Sequence, residues 1–538
     1  MEHGSRRAAD QGADRRHRFG PCRARSLVRC RRRSDSAHLE VTDFRALRGK
    51  CRSWFFSAGY RRLPCYPRLP RGDVAAALPG SKLQPGGPGG VGRRMSGKVF
   101  LGIVAGSASL LIALAGLGAW GLLFNSEPKV VGIMIATAFP FTLSAWFVIK
   151  FEESQSDVTL RRATWIIIVS AAVMRACLLP WPPDSSDVYR YVWDGRVQAA
   201  GINPYRYIPA DPALASLRDN AVYPNINRAD YAPTIYPPAA QVIFRTVGLG
   251  RGGVVAMKLV MVLFEGLTAA SILYLLKRRG LPSTRVLLYA WSPLALYEFA
   301  GSGHIDAAAI ALMMAAIMLA DQGRRAASGA LLAAATLTKF FPIVMAPALY
   351  CRWDWRAPLT ALVVAVGLYL PFLSVGYKVF GFLSGYAHEE AIDDGTGFFV
   401  IGLLDQQIDL PSWARPAYLA IALAVLAVGA VATVWRRVPG KVDLGGTLFL
   451  LTAFTVFMSP HLPWYFTWTL PLLCFVRSWS VLYLTCAAPL LYWQAHAPDD
   501  PIYMIAVYLP FALLLIGEVA WRGVVRILER RRNVSFAV

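Results

Sequence analysis

Long apolar blocks alternate with short polar connections along most of the sequence. Most blocks are about 17–25 residues long, the length that an α-helix needs to cross the ~30 Å hydrocarbon core of a bilayer. The candidate spans cover residues 98–124, 129–150, 163–180, 254–276, 285–300, 303–321, 326–350, 357–374, 414–435, 444–459, 463–476, 480–495 and 502–521. The pattern therefore predicts an all-α, polytopic bundle of about 11–13 transmembrane helices.

The span at 326–350 is interrupted midway by Lys339 and Pro342. A lysine and a proline at that depth favour two half-helices that form a re-entrant hairpin over one straight crossing. Irregular backbone inside a membrane is tolerated only where it faces protein or a water-filled cavity. The sequence thus predicts that this hairpin faces a site inside the bundle.

The distribution of Lys and Arg predicts the orientation of the chain, because cytoplasmic loops are enriched in these residues. The basic connections lie at 150–162, 277–285, 323–325, 351–356, 435–441 and 529–532. The opposite connections lie at 181–253, 301–303, 375–413, 460–462 and 496–501, and they are rich in Asp, Glu, His, Trp and Pro. We expect a multi-pass protein of the plasma (inner) membrane with its functional surface outside the cytoplasm.

Four regions follow from this scheme. We expect residues 95–180 to form three N-terminal transmembrane helices and residues 181–253 to form an extracytoplasmic loop that carries the chemistry discussed below. Residues 254–538 form the remaining bundle, with a second extracytoplasmic loop at 375–413. Residues 1–94 are an Arg-rich stretch that is either a mis-extended reading frame or a disordered tail, or else a basic arm that binds nucleic acid or anionic lipid.

Composition and charge agree with a membrane protein. The chain is 55% hydrophobic, with a mean hydropathy of +0.41. Its net charge of +23 is concentrated at one end, since residues 1–95 hold 22 Lys and Arg against 7 Asp and Glu. The charge of the membrane-embedded part therefore gives no reason to expect a nucleic-acid partner.

The long loop after the third span carries the residues best suited to chemistry. A short helix is expected from Asp187 to about Ala200, capped by Asp184 or Ser186 and ended by Gly201. Its residues Asp187, Arg190, Tyr191, Asp194 and Gln198 share one face. We expect an amphipathic helix at the membrane surface, with this face turned toward a cavity. A carboxylate placed there can deprotonate a sugar hydroxyl; the alternative is a set of solvated surface pairs of little energetic worth.

The stretch DVYRYVWDGRVQAAGINPY, residues 187–205, resembles the first extracytoplasmic loop of GT-C glycosyltransferases. It is similar in particular to bacterial mannosyltransferases that use polyprenyl-phosphate mannose. Further motifs follow in the same order, namely IYPPAAQ (235–241), EFAGSGHIDAAA (298–309), LTKFFP (337–342) and SPHLPWYFTWTLP (459–471). One departure is that the loop follows the third span here, whereas in many of these enzymes it follows the first.

The resemblance implies an inverting transfer of a hexose, with mannose the expected sugar, from a polyprenyl-phosphate donor to a glycan or lipid acceptor. The family's catalytic Asp falls on Asp187, which would act as general base, with Asp184 and Asp194 as further catalytic candidates. Candidate substrate-binding residues of the same loop are Arg190, Tyr191, Arg196 and Tyr236. No resident cofactor is implied.

Three ionisable residues at or within the later spans are further candidates for binding the donor or acceptor. His304 and Asp306 lie at the outer end of two spans, although Asp306 could instead be a helix N-cap beside a hydrated His304. Lys339 could reach a lipid phosphate as a point charge. Alternatively, it could extend to the cytoplasmic interface.

Two residues of the SPHLPWYF motif complete the set. His461 and Tyr465, with Trp464 between them, could line the donor pocket, or they could belong to an interfacial belt of aromatic residues. Arg175, near the outer end of the third span, is expected either to extend to the interface or to pair with Asp184 or Asp187.

Other functions remain open at this point. The cluster of His388, Glu389, Glu390, Asp393 and Asp394 matches no compact zinc motif, so no metal site is predicted, although a divalent cation could bind there. A secondary transporter or lipid-linked sugar flippase is the main alternative. Transporters usually show paired repeats and charged residues at mid-membrane, which the span pattern does not suggest. A structural membrane protein without chemistry is a weaker alternative.

Overall fold

A computed structural model describes residues 95–123, 127–392, 395, 397–405, 408–438, 440–496 and 500–535. The expectations for residues 1–94 and for Asp393 and Asp394 lie outside the described residues. The described chain is built from α-helices, with short 3-10 segments and one π-helical segment, Leu296–Gly301, between them. This confirms the predicted all-α membrane bundle.

The helices run in the following order. α1 (Gly97–Leu123), α2 (Glu127–Phe151) and α3 (Asp157–Leu178) precede the long loop, which contains α4 (Asp187–Ala199) and α5 (Pro238–Leu249). The next helices are α6 (Val254–Arg278), α7 (Leu287–Ala290), α8 (Pro293–Ala295), α9 (Asp306–Asp321), α10 (Arg325–Thr336), α11 (Ala346–Leu349) and α12 (Arg356–Tyr369). The remaining helices are α13 (Leu383–Glu389), α14 (Phe399–Asp405), α15 (Ala414–Trp435), α16 (Leu444–Met458), α17 (Leu470–Leu473), α18 (Trp479–Ala487), α19 (Leu490–His496) and α20 (Ile502–Ser535).

Fewer long spans are present than the apolar blocks suggested. By length and composition, six helical segments of the described residues could cross a bilayer, and a bent pair of segments, Pro293–Gly301 and Asp306–Asp321, could form a seventh. The expected spans at 285–300, 463–476 and 480–495 are instead divided into helices of at most nine residues and intervening 3-10 or π-helical turns. Prolines such as Pro293, Pro463 and Pro471 lie at the starts of these short pieces, where they interrupt the helical hydrogen bonds.

The basic connections meet at one end of the bundle, which we call the basic end. There Arg285 Nε lies 2.7 Å from Glu152 Oε1, and Arg279 Nη2 lies 2.9 Å from Asp321 Oδ1. At the opposite, or loop, end the two long loops meet, and Arg228 Nε donates to Glu389 Oε2 at 2.6 Å. These contacts agree with the predicted segregation of loops into two sets, and the side of the membrane that each set faces stays a prediction.

The segment 325–350 follows the re-entrant course that its sequence suggests. α10 starts at the basic end, where Arg325 contacts Asp354, and the chain reaches Asp306 at Lys339. It then returns through the 3-10 segment Phe341–Met345 and α11. Because Arg325 and Asp354 are in contact, the segment enters and leaves on the same side.

The helix α4 begins and ends where the sequence predicted, but it is not exposed at a surface as expected. Both of its faces are buried, since Asp194 is 1% exposed on the polar side and Val188 is 0% exposed on the apolar side. α5 and α6 pack against it. The expectation of an amphipathic surface helix is therefore wrong, because the rest of the loop folds back over the polar face.

Two glycines allow α4 and α5 to approach this closely. A Cβ atom on Gly195 would lie 2.3 Å from Phe244 O, and one on Gly248 would lie 2.1 Å from Gly195 O. Side chains at either position would therefore force the two helices apart. The backbone contact fixes α4, and with it Asp187, relative to the bundle.

We expect Gly195→Ala to destabilise the protein by about 1–3 kcal/mol, because an extra methyl group would overpack this contact. The readout is the midpoint of thermal unfolding in detergent. Gly266→Ala in α6 is the matched control, since its Cβ would meet no atom within 4 Å. Equal midpoints for the two variants would contradict the proposed role of the contact.

Candidate functional site

Asp187 is held at the N-terminus of α4, half-buried and facing the interior of the loop end. Its Oδ1 accepts a hydrogen bond of 2.8 Å from Asn227 Nδ2. Ser186 is the N-cap residue but makes no capping hydrogen bond with its side chain; Ser185 Oγ accepts from the Asp187 N–H instead, at 3.3 Å. Asp184, three residues earlier, is also half-buried. The local fold thus orients the Asp187 carboxylate through a neighbouring amide.

Arg190 and Asp194 form a buried ion pair one turn further along α4. Arg190 Nε lies 3.1 Å from Asp194 Oδ1, and Gln241 Nε2 donates to the other carboxylate oxygen at 2.9 Å. Arg190 also donates to Ala232 O at 3.2 Å. The alternative of solvated surface pairs is therefore wrong here. The contacts of Asp194 fasten residues 232–241 onto α4, and its catalytic role stays a prediction.

Arg196 points elsewhere and pairs with Asp219 in the outer part of the same loop. Burial acts to raise the pKa of the Asp219 carboxyl group. The backbone N–H of Val222 and the Arg196 guanidinium outweigh that effect, so the pKa lies below its ordinary value. The structure therefore does not bring Arg196 to Asp187, and its predicted contact with substrate stays untested.

Tyr191 and Tyr236 form an aromatic wall beside Asp187. The Tyr191 ring stacks on Phe244 with centroids 4.7 Å apart, and Tyr236 packs edge-on against Tyr191 at 4.8 Å. Burial, and then the charge of Asp187, raises the pKa of both hydroxyls well above its ordinary value. Both tyrosines therefore stay neutral and remain able to donate hydrogen bonds.

Asp306 and Lys339 form the central ion pair of the site. Lys339 Nζ lies 2.7 and 2.9 Å from the two Asp306 carboxylate oxygens, and Trp468 Nε1 donates to Asp306 Oδ1 at 2.8 Å. Asp306 is completely buried, and Lys339 Nζ lies 4.5 Å from the centre of the Tyr465 ring. Lys339 also interacts electrostatically with Asp187. The alternatives of an N-cap for Asp306 and of a lysine extended to the cytoplasmic interface are therefore wrong.

His304 lies behind this pair in a second buried group. Its Nδ1 atom lies 2.8 Å from Glu298 Oε2, and its ring packs on Trp464 with centroids 4.2 Å apart. Glu298 also accepts from the Tyr492 hydroxyl at 3.1 Å. Sequence reasoning missed Glu298, although a Glu within the apolar stretch 285–300 was a signal that could have found it.

His461 is exposed and lies at the rim of a small cavity that Tyr465 also lines. The Tyr465 hydroxyl lies 2.7 Å from the Tyr386 hydroxyl of the second long loop. Electrostatic interactions link Asp187 with Tyr191, Tyr236 and Lys339, and Lys339 in turn contacts Asp306 and the ring of Tyr465. His304 packs on Trp464, which neighbours Tyr465, and His461 lines the small cavity with Tyr465.

Arg175 pairs with neither Asp184 nor Asp187. Its guanidinium binds Glu265 of α6, with Nη2 2.6 Å from Oε1, and donates to Ala290 O at 2.7 Å. Both side chains are buried inside the bundle. The span pattern did not suggest charged residues at mid-membrane, and Glu265, which lies within an apolar span, corrects that expectation.

Acidic residues of the second long loop bind other side chains, as Glu389 shows. Glu389 accepts from Arg228 Nε at 2.6 Å and from the Tyr231 hydroxyl at 2.9 Å. Across the described residues, no three His, Cys, Asp or Glu side chains come together as metal ligands. Binding of a divalent cation stays untested.

The ion pair of Asp306 and Lys339 yields a stability prediction. We expect Lys339→Met to cost about 3–5 kcal/mol, because it leaves the buried Asp306 carboxylate without its cation. The double variant Asp306→Asn/Lys339→Met should recover part of that loss. Thermal unfolding of the wild type, both single variants and the double variant measures the coupling. Single effects that simply add up would contradict the pairing.

Two comparisons with known proteins give matches that cover much of the chain. Residues 94–355 match the family model described as alpha-(1->6)-mannopyranosyltransferase, N-terminal domain. The chain is 24% identical over 388 residues to alpha-(1->6)-mannopyranosyltransferase A of Mycobacterium tuberculosis, which covers 65% of this chain and 72% of that protein. No solved structure matches the chain. Together with the order of motifs around Asp187 and Asp306, these similarities support a membrane glycosyltransferase that is similar to the alpha-(1->6)-mannopyranosyltransferases.

Proposed function

We propose that the protein transfers mannose from a polyprenyl-phosphate donor to a glycan or lipid acceptor at the extracytoplasmic face of the plasma membrane, with inversion at the anomeric carbon. The observation that carries this proposal is that the Asp187 carboxylate interacts electrostatically with the Lys339 ammonium, which Asp306 holds in place. A base for the acceptor and a cation for the leaving phosphate are the two groups that the reaction requires.

The reaction moves one proton and exchanges one bond. Asp187 takes the proton of the acceptor hydroxyl as that oxygen forms a bond to the anomeric carbon. The bond between the anomeric carbon and the donor phosphate oxygen breaks, and polyprenyl phosphate leaves with the electron pair. The hydrogen bond from Asn227 orients the Asp187 carboxylate during this step.

Lys339 offers the charge that the departing phosphate needs. An ammonium group has three N–H donors, and two of them are directed at the Asp306 oxygens. The third is left to bind a phosphate oxygen, while Asp306 and Trp468 hold the lysine in place. Little reorganisation is then required when negative charge develops on the phosphate.

Apolar surface along the re-entrant segment suits the chain of a lipid donor. A cavity of about 610 Å³ between α10, α11, α12 and α15 extends from Ile343, four residues after Lys339, to Arg352 at the basic end, and its lining is mainly apolar. Residues on the outer sides of α12 and α15, such as Leu362 and Val428, are exposed. These surfaces would allow an isoprenoid chain to enter laterally from the bilayer.

We expect Asp187→Asn to lower the rate of mannosyl transfer by about 10²–10⁴-fold, because it removes the general base. Transfer from polyprenyl-phosphate-[radiolabelled]mannose is measured in membranes with matched expression. Asp230→Asn, which changes an exposed carboxylate of the same loop, is the control and should keep wild-type activity. Undiminished transfer by Asp187→Asn would exclude Asp187 as the base.

The proposed orientation has a separate test. In intact cells a membrane-impermeant maleimide should label Ala215→Cys in the exposed part of the long loop, but not Glu153→Cys at the basic end. Permeabilisation should expose the second site, and the wild type gives the background from its own cysteines. Labelling of Glu153→Cys alone in intact cells would place the site on the cytoplasmic face.

A further inference from the structure

A small cavity adjoins the Lys339 site and is formed by segments that are distant in sequence. Its volume is about 120 Å³, and its lining includes Tyr386 and Glu390 from one loop and His461 and Tyr465 from another. Since one water molecule needs roughly 10–15 Å³ of such a cavity, there is room for about ten water-sized groups. That space is comparable in size with a single pyranose ring.

The lining has the chemistry of a carbohydrate site. Phe341 and Tyr465 stack with ring centroids 5.3 Å apart, and the Tyr386 and Tyr465 hydroxyls lie 2.7 Å apart. Glu390 interacts with both tyrosines. Aromatic rings can pack against the C–H face of a sugar, while a carboxylate and an imidazole can bind its hydroxyls.

The walls of the cavity are fixed by unusual backbone contacts. Ser459 has a left-handed conformation with φ of 37°, and its Oγ accepts from Phe399 N at 2.9 Å. A Cβ on Gly397 would lie 2.0 Å from Glu390 O, so only glycine allows this approach. Strain of this kind persists where the surrounding structure holds a site in shape.

The cavity shares a wall with the site of the proposed reaction. Tyr465 lines it and also lies 4.5 Å beneath the Lys339 ammonium. On its other side, Tyr386 packs beneath Arg228, whose carbon Cζ lies 5.7 Å from the ring centre. A sugar bound in the cavity would therefore lie next to a phosphate held by Lys339.

We infer that this cavity is a hexopyranose subsite in which Glu390 and His461 bind sugar hydroxyls and Tyr386 and Tyr465 provide the aromatic surface. The inference rests on the proposed function and deepens it by naming the residues that select the sugar. A hexopyranose ring is present both in the donor's mannose and in the acceptor glycan. The KM values for donor and acceptor show which of the two rings binds in the cavity.

Glu390→Gln and Tyr386→Phe test the subsite. Glu390→Gln weakens the hydrogen bond from a sugar hydroxyl with almost no change in side-chain size. Tyr386→Phe keeps the aromatic surface and removes the phenolic hydroxyl, a second hydrogen-bonding group of the cavity lining, which lies 2.7 Å from the Tyr465 hydroxyl. For Glu390→Gln we expect about a tenfold rise in KM for one substrate with little change in kcat, because binding is lost equally in the ground and transition states. A rise for polyprenyl-phosphate mannose assigns the donor's ring, and a rise for the acceptor assigns the acceptor's.

Glu153→Gln makes the same chemical change on an exposed side chain at the basic end and should leave both KM values unchanged. Unchanged KM values in both Glu390→Gln and Tyr386→Phe, beside an active wild type, would overturn the inference and leave the proposed function intact. A wild type without any mannosyl transfer would instead overturn the function.

If the wild type shows no mannosyl transfer, a direct binding measurement still tests the subsite. Quenching of tryptophan fluorescence by methyl α-D-mannopyranoside reports binding through Trp464, whose ring lies 6.0 Å from that of Tyr465. We expect about tenfold weaker binding by Glu390→Gln than by the wild type. Equal binding by both proteins, or none by the wild type, would exclude the subsite.

Discussion

The ion pair between Lys339 and Asp306 is the interaction on which the architecture of the site depends. A charge removed from water costs several kcal/mol unless it is paired with good geometry. Lys339 can meet Asp306 only if the segment 325–350 turns back inside the bundle, and Trp468 must arrive from a third segment to complete the carboxylate's hydrogen bonds. The re-entrant course of the chain and the position of the catalytic candidates therefore both depend on this ion pair.

The other buried charges follow the same rule with different partners. Arg175 is balanced by Glu265 inside the bundle, which links α3 to α6. Lys258 instead donates to the carbonyl oxygens of Leu178 and Trp181, at the C-terminal end of α3, where a helix dipole favours a cation. This arrangement fixes the point at which the chain leaves α3 and enters the loop with Asp187.

Local patterns were sufficient to predict several features. The bounds of α4 and the interruption at Lys339 could be read from the sequence because glycines, prolines and helical periodicity act over a few residues. The burial of α4 could not, because Arg190 and Asp194 occupy the same spacing whether water or Gln241 covers them. The partner of Arg175 was missed for a related reason, since it depends on how α3 and α6 pack, which no local pattern specifies.

The link between Arg228 and Glu389 has a consequence for how the protein is made. The two residues are 161 positions apart, and Asp306 and Trp468 are 162 apart. Membrane helices are inserted in order during synthesis, so Asp187 is in place long before its surroundings exist. The contacts that the long loop makes with Glu389 can form only after that later residue has been synthesised. The order of the chain therefore means that an incomplete site precedes the finished one during biogenesis. The site is completed only when the last third of the chain joins the bundle.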